Sequence, residues 1–279
     1  MAKLKMFLKE VLPAPIWGFL QKMKAILLSN WKDFLLTISF FNWKDFLLTI
    51  SFLSKHSSNV SLKDKMCILK QFYVINLNVS QMHRKHTLDE MLTVIRTIHS
   101  LRSEGNGIVV EAGCFKGIST AKFSIAADIV GRRLVVFDSF EGIPENDEYP
   151  DKTIDRGRIK FPKGSYCGTL EEVKANVTRF GKIDSCRFIK GWFKDTMPDF
   201  KKSISVIYLD VDLASSTRTC LKYLFPLLEK GGTLFSQDGH IPLVVDVFSD
   251  DNFWLKEVGC AKPSIQILGR KLIKILKEA

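Results

Sequence analysis

Apolar and polar positions follow two different rhythms along this chain. Through residues 6–28, apolar residues recur at roughly helical spacing with Lys9, Lys22 and Lys24 on the other side, and Pro13 and Pro15 interrupt the pattern. A tandem duplication comes next: NWKDFLLTISFF at 30–41 is followed at once by NWKDFLLTISFL at 42–53, identical except at the last position. A shift of twelve residues turns an ideal helix by about 120°, so the two copies cannot present one face unless the helix breaks between them. From Ser61 the spacing is helical, and Thr87-Leu-Asp-Glu90 is a capping box that starts a helix running to about Leu101. Beyond Gly105-Asn-Gly107 the rhythm changes to short β-branched and apolar runs at 108–111, 134–138, 186–190, 204–210 and 232–236. Helical patterns separate most of them, at 117–129, at 169–180 with a second capping box at Thr169 and Glu172, and at 216–228. Such alternation predicts a mostly parallel sheet with helices on both faces. Residues 264–268 and 271–276, around Gly269-Arg270, predict a closing antiparallel hairpin. The chain thus divides into an apolar helical extension, 1–60, and an α/β domain, 61–279.

Charge and cysteine usage narrow the function classes. A net charge of +11 invites a nucleic-acid partner, but the basic residues are spread along the chain with no nucleic-acid motif between them, so no nucleic acid is expected. Six cysteines lie far apart and make no zinc-ligand spacing, which fits reduced thiols and a cytoplasmic location. The N-terminus lacks the continuous apolar core and small-residue cleavage site of a secretory leader. Lys32, Asp33, Lys44 and Asp45 interrupt the duplicated segment too often for a membrane span. Peripheral membrane contact through residues 1–58, packing against a partner, and a homo-oligomer all remain open.

Candidate chemistry gathers at the carboxyl edge of the predicted sheet, where open α/β folds bind ligands. The run Ile108-Val-Val-Glu111 leads through Gly113 and Gly117 into a helix carrying Ser119 and Thr120 at its start. The two glycines allow a tight turn and close approach to a ligand, and the helix start offers free N–H groups to a carboxylate. The second strand ends in Asp138, where doubly wound folds hold a ribose diol. Glu111 is unwelcome beside a pyrophosphate but suits a sulfonium and an ammonium, and the spacing G-x-G-x-x-G is absent; both points disfavour a nicotinamide enzyme.

Four segments carry a specific resemblance: VEAGCFKGIS at 110–119, FDSFEGIPE at 137–145, KGWFKDTMP at 190–198 and LDVDLASST at 209–217. In order and spacing they resemble the macrocin O-methyltransferase family, metal-dependent enzymes that methylate sugar hydroxyls, over about residues 107–258. The resemblance implies a Rossmann-like class I methyltransferase fold, with a seven-stranded sheet and S-adenosyl-L-methionine as cofactor. It implies that Glu111, Gly113, Gly117 and Ser119 surround the methionine end, that Asp138 with Ser139 beside it holds the ribose, and that Trp192 lies near the adenine. An ordinary core aromatic is the alternative for Trp192.

Carboxylates after the fourth and fifth strands suit a hard cation such as Mg²⁺, which lowers the pKa of an oxygen it binds. The family pattern maps its metal ligands onto Asp210, Gln237 and Asp238, with Asp210 also the proton acceptor. This sequence departs from it at Gln237, a neutral amide where an acid is expected, and at Gly239, where an aromatic usually follows. Adjacent His240 is chemically able to act as base or extra ligand, or is a polar surface histidine; Asp212 reads as a cap for the helix near Ser216 or as a metal ligand. Residues 144–168, rich in Asp, Lys, Gly and Pro, resemble a lid that helps select the acceptor. The expectation is a Mg²⁺-assisted O-methyltransferase acting on a hydroxyl of a sugar or glycan-like small molecule. A phenolic or nitrogen acceptor is one rival. A non-catalytic cofactor-binding protein that docks a membrane or partner through its extension is another.

Overall fold

The computed structural model of the chain describes residues 43–55, 60–78, 86–101, 105–148 and 160–278. Three helices precede the sheet among them: α1 (Trp43–Ser54), α2 (Leu62–Asn78) and α3 (Leu88–His99). The α/β portion then runs β1 (Ile108–Ala112), α4 (Ile118–Ile129), β2 (Leu134–Asp138), α5 (Leu170–Phe180), β3 (Cys186–Lys190), the single turn α6 (Phe193–Thr196), β4 (Ile204–Leu209), α7 (Ala214–Leu224), β5 (Leu228–Ser236) and α8 (Pro242–Ser249). A helical turn at Asp251–Phe253 continues into a π-helical turn at Trp254–Val258, and β6 (Ile265–Leu268) and β7 (Leu272–Leu276) close the sheet.

The seven strands lie in the order β3-β2-β1-β4-β5-β7-β6, parallel from β3 to β5 with β7 antiparallel to both its neighbours. Strand order reverses between β1 and β4, so the crevice beyond their carboxyl ends is the place this topology leaves for a ligand. The fold expected from the apolar rhythm is therefore the one observed, hairpin included.

Both β1 and β4 are buried along their whole length, as strands covered on two faces must be. Their alternation sorts residues into two cores. Val109, Val136, Val206, Tyr208 and Phe235 pack with α2 to α5 on one face, while Val110, Val135, Phe137, Ile207, Leu209 and Leu234 pack with α7 and α8 on the other. By the same period of two, Glu111 falls on the α4 face.

The second copy of the duplication forms α1, and its apolar residues are spent on packing. Phe52 and Leu53 join Ile68, Phe72, Met91 and Ile95 in the core, and Phe46 and Ile50 are buried beside them. Each such side chain contributes about 1.5–3 kcal/mol on burial. The first copy, at 30–41, and the helix expected at 6–28 lie outside the described residues. No helix among the described residues is long and apolar enough to cross a membrane.

Two boundaries differ from expectation for local reasons. The helix expected to reach Leu228 stops at Leu224, because Pro226 cannot extend it; a 3₁₀ turn at Phe225–Leu227 delivers the chain into β5 four residues early. The capping box at Thr87 is complete, with both reciprocal hydrogen bonds present. At Thr169 only the hydroxyl half forms, since the Glu172 carboxylate instead pairs with Lys116 at 3.0 Å.

Candidate active site

The turn from β1 into α4 is shaped by its two glycines. Gly113 has φ 80° and Gly117 has φ 78°, values that L-residues with a side chain rarely adopt. A Cβ on Gly113 would lie 2.1 Å from the Asp210 carbonyl oxygen, and one on Gly117 would lie 2.9 Å from Val173 Cγ1 of α5. The backbone shape and the neighbouring elements are by themselves enough to demand glycine at both positions. Gly113 also seats the turn directly against the end of β4, so the β1 and β4 halves of the crevice share a wall.

Glu111 is fully buried at the end of β1, and neither carboxylate oxygen has a hydrogen-bond partner. Burial pushes its pKa up to about 8, moderated by the nearby hydroxyls of Ser119 and Thr120 and reinforced by the charges of Asp210 and Asp138. An orphaned buried carboxyl is costly, and a cation seated against it would offset that cost. Ser119 itself is buried in the first turn of α4.

Asp138, at the end of β2, accepts hydrogen bonds from Cys114 N and Phe140 N, each at 2.7 Å, and so ties the β1–α4 turn to its own strand. Burial still leaves its pKa above the usual carboxylate value. Ser139 closes the turn that follows: its hydroxyl donates to Gly142 O at 3.2 Å and accepts from Glu141 N at 3.1 Å. Beyond β3, Gly191 N donates to Asp138 O at 3.0 Å, which places the half-buried Trp192 next in the chain at the same edge. The Trp192 carbonyl accepts from Asp195 N and Thr196 N and so starts α6.

Three carboxylates meet on the other side of the crevice. Asp210 follows β4, Asp238 lies just beyond β5, and one ligand oxygen from each, together with one from Asp212, falls within 4.8 Å of the others. Asp238 is buried and accepts from Val211 N at 3.0 Å and Asp212 N at 3.1 Å. Burial, and then the charges of Asp210 and Asp212, push its pKa well above the ordinary range. Asp212 adopts a left-handed backbone with φ 61°.

Two members of the expected ligand trio, Asp210 and Asp238, come together, and Asp212 joins them. Gln237 is buried, its amide oxygen accepts from Tyr208 Oη at 3.1 Å, and its amide nitrogen donates to Glu90 Oε2 at 3.0 Å. Both ends of that amide are turned to α3 and β4, and Asp212 supplies the third carboxylate instead. Asp212 does not cap α7 either. Leu213 occupies the cap, and the first two helical amides, Ala214 N and Ser215 N, donate to Glu148 at 2.6 and 2.9 Å. His240 stands half-buried in the turn closed by Ile241 N to Asp238 O, at 2.9 Å. Gly239 is a glycine because a Cβ there would meet Lys271 O at 2.6 Å, in the β6–β7 hairpin.

Sequence reasoning passed over two residues of this site. His86 Nε2 lies 2.9 Å from Asp210 Oδ2, and the ring stands edge-on to Tyr208. Glu148 reaches α7 from the segment read as a lid. Neither carries a local signal, because each partner is far away in the chain: 124 residues for His86 and 66 for Glu148 and Ala214.

Comparison with known proteins adds a second line of argument. A family model described as macrocin-O-methyltransferase (TylF) matches residues 77–251. The 8-demethyl-8-(2,3-dimethoxy-alpha-L-rhamnosyl)-tetracenomycin-C 4'-O-methyltransferase of Streptomyces olivaceus is 36% identical over 169 residues, 58% of this chain and 64% of that protein. Mycinamicin III 3''-O-methyltransferase of Micromonospora griseorubida is 32% identical over 151 residues, 51% of this chain and 59% of that protein. The chain therefore spans less than two thirds of the length of these curated relatives. Among solved structures, the O-methyltransferase NovP superposes with a TM-score of 0.64 at 22% identity, over 77% of this chain and 100% of that one, and shares its class I methyltransferase fold.

Proposed function

The chain belongs to the macrocin O-methyltransferase family, and on that premise we propose that it transfers a methyl group from S-adenosyl-L-methionine to a hydroxyl of a sugar-containing small molecule, assisted by a divalent cation such as Mg²⁺. The observation that carries this reading is one juxtaposition. An orphaned buried carboxyl, Glu111, and a cluster of three carboxylates, Asp210, Asp212 and Asp238, lie at the carboxyl ends of neighbouring strands, joined by the close approach of Gly113 to Asp210.

The residues fit both groups. Glu111 offers a carboxyl without a hydrogen-bond partner that would ionise against a sulfonium and an ammonium, the start of α4 offers N–H groups to a carboxylate, and Asp138 and Trp192 stand along the edge for ribose and adenine. Asp210, Asp212 and Asp238 would hold the cation; oxygen donors of this kind suit Mg²⁺. A cation there would lower the pKa of an acceptor hydroxyl and so raise its nucleophilicity.

The chain's own groups then have distinct tasks. Asp210, half-buried and held by His86, is placed to accept the proton of the acceptor hydroxyl as its oxygen takes the methyl group. Asp238 fixes the Asp210–Asp212 loop through two backbone amides. Gln237 serves as a neutral bridge between Tyr208 and Glu90 and stays outside the ligand set. The relatives are named for O-methylation of a rhamnosyl-tetracenomycin and of mycinamicin III, and the rhamnosyl group in the first name supports a sugar hydroxyl as the acceptor here.

Calorimetry with S-adenosyl-L-methionine, with and without Mg²⁺, tests the reading together with Asp210→Asn. The cofactor should bind both proteins, and transfer to a rhamnosylated acceptor should fall by about 10²–10⁴ in the variant, the range for loss of a general base. Failure of the wild type to bind the cofactor would sink the proposal, and full turnover by Asp210→Asn would remove the role given to that residue.

A further inference from the structure

Every backbone amide from 210 to 215 is engaged. Asp210 N donates to Ala112 O at 3.0 Å, Val211 N and Asp212 N donate to Asp238 Oδ2, and Leu213 N donates to Val211 O at 2.6 Å. Ala214 N and Ser215 N then donate to Oε2 and Oε1 of Glu148. A helix leaves its first four N–H groups without intrahelical partners, and α7 has no side-chain cap of its own because Leu213 occupies that position. Glu148 supplies the missing acceptor with both oxygens, and its negative charge sits at the positive end of the helix dipole.

The arm that carries Glu148 is itself fixed. Asn146 Nδ2 donates to Pro144 O and Phe161 O at 3.0 Å each, Ile143 N donates to Ser165 O at 2.9 Å, and Gly164 N donates to Ile143 O at 2.8 Å. Residues 143–148 and 161–165 therefore form one pinned unit on the acceptor side of the crevice.

We propose that Glu148 is a positioning residue for the cation site: by gripping the first turn of α7 it holds the loop of Asp210 and Asp212 in shape, and it couples the acceptor-side arm to cation binding. Asp238 grips the same loop from the other side, and only Leu213 separates the two sets of amides. Asp212 sits between the grips at φ 61°, a left-handed conformation uncommon for a residue with a side chain. Release at α7 lets that residue relax and opens the carboxylate cluster. Linkage is reciprocal, so a bound cation and a docked Glu148 strengthen each other by the same factor. The coupling to a cation rests on the metal-assisted reading above, whereas the grip on α7 does not.

The test uses the full chain with Glu148→Gln and Glu148→Ala, Mn²⁺ as the probe, and hydrogen exchange at individual amides. Cofactor binding reports that each variant is folded. Mn²⁺ affinity should fall about tenfold in Glu148→Ala, within the usual range of site-to-site coupling, and less in Glu148→Gln, which keeps one acceptor oxygen. Exchange at Ala214 and Ser215 should speed up in the same order. Mn²⁺ should slow exchange at residues 143–148 in the wild type and not in Glu148→Ala. Unchanged exchange at Ala214 and Ser215 would overturn the proposal, as would faster exchange with unchanged Mn²⁺ affinity. If the wild type binds no Mn²⁺, the metal-assisted reading and the coupling both fail, and the two amides still decide whether Glu148 holds α7.

Discussion

Glu111 links pH, stability and cofactor in a way that can be measured. Its carboxyl is fully buried, and burial raises the pKa from an ordinary 4.5 to about 8. Between those values the folded chain keeps a proton that the unfolded chain has lost. Stability from this group is therefore undiminished below about pH 4.5, falls as pH rises through the window, and levels off above about pH 8. One group gives a slope approaching ~1.4 kcal/mol per pH unit, so the loss accumulated at pH 7 is ~3 kcal/mol. Glu111→Gln keeps the shape and removes the titration. In urea melts at fixed ionic strength, the stability difference, variant minus wild type, should grow by ~3 kcal/mol between about pH 4 and pH 7. A cationic cofactor that holds the carboxylate ionised should also expel ~0.9 proton per binding event from the wild type at pH 7 and none from this position in the variant. Binding heats measured in buffers of different ionisation enthalpy read that number. A stability difference that stays flat across the window would refute the burial argument. Equal proton release from both proteins would refute the pairing of Glu111 with a positive ligand.

Three further outcomes follow from the geometry. Gly113→Ala drives a Cβ to 2.1 Å from the Asp210 carbonyl in a backbone with φ 80°, so thermal melting should drop steeply and cofactor binding should be lost; a variant that keeps both would show that the turn can move. Gln237→Glu brings a carboxylate against Glu90, now 3.0 Å from the amide, and should cost about 1–3 kcal/mol, with Glu90→Gln relieving it. Additive effects in the double-mutant cycle would refute that contact. Dialysis against a chelator should lower transfer and added Mg²⁺ should restore it, while cofactor binding persists; full transfer after chelation would exclude a resident cation at the three carboxylates.

The fold was legible in the chain because its signals are local. Apolar runs four to seven residues long, separated by helical patterns and bounded by Gly and capping residues, state a parallel sheet directly, and the hairpin at 265–276 announces itself by Gly269. Glu111 and Asp138 could be picked out for the same reason, since each ends a strand. Boundaries failed where one residue overrode the pattern, as Pro226 did in cutting the helix before β5. On the acceptor side the outcome depended on partners that no local pattern reveals. Asp212 has the same chemistry whether it caps a helix or joins a cluster, and only the arrival of Glu148 at α7 decides between them.

Gln237 shows how a long-range contact can account for a departure that looks like decay. Read locally, Thr87 and Glu90 are a capping box and Gln237 is a neutral amide among the expected metal ligands. In the structure they are one network: Glu90 Oε2 accepts both Thr87 N at 2.8 Å and Gln237 Nε2 at 3.0 Å, while Tyr208 donates to the other end of the same amide. A carboxylate at 237 would face Glu90 in a buried site, where two like charges are strongly disfavoured. An amide can donate to Glu90 and accept from Tyr208 at once, so it is the side chain that satisfies both neighbours. The network also holds the start of α3 against the sheet edge, and His86, the residue just before the cap, then reaches Asp210. The amide at 237 thus docks the helical layer onto the sheet edge that carries the carboxylate cluster, whose third member comes from Asp212 on the loop itself.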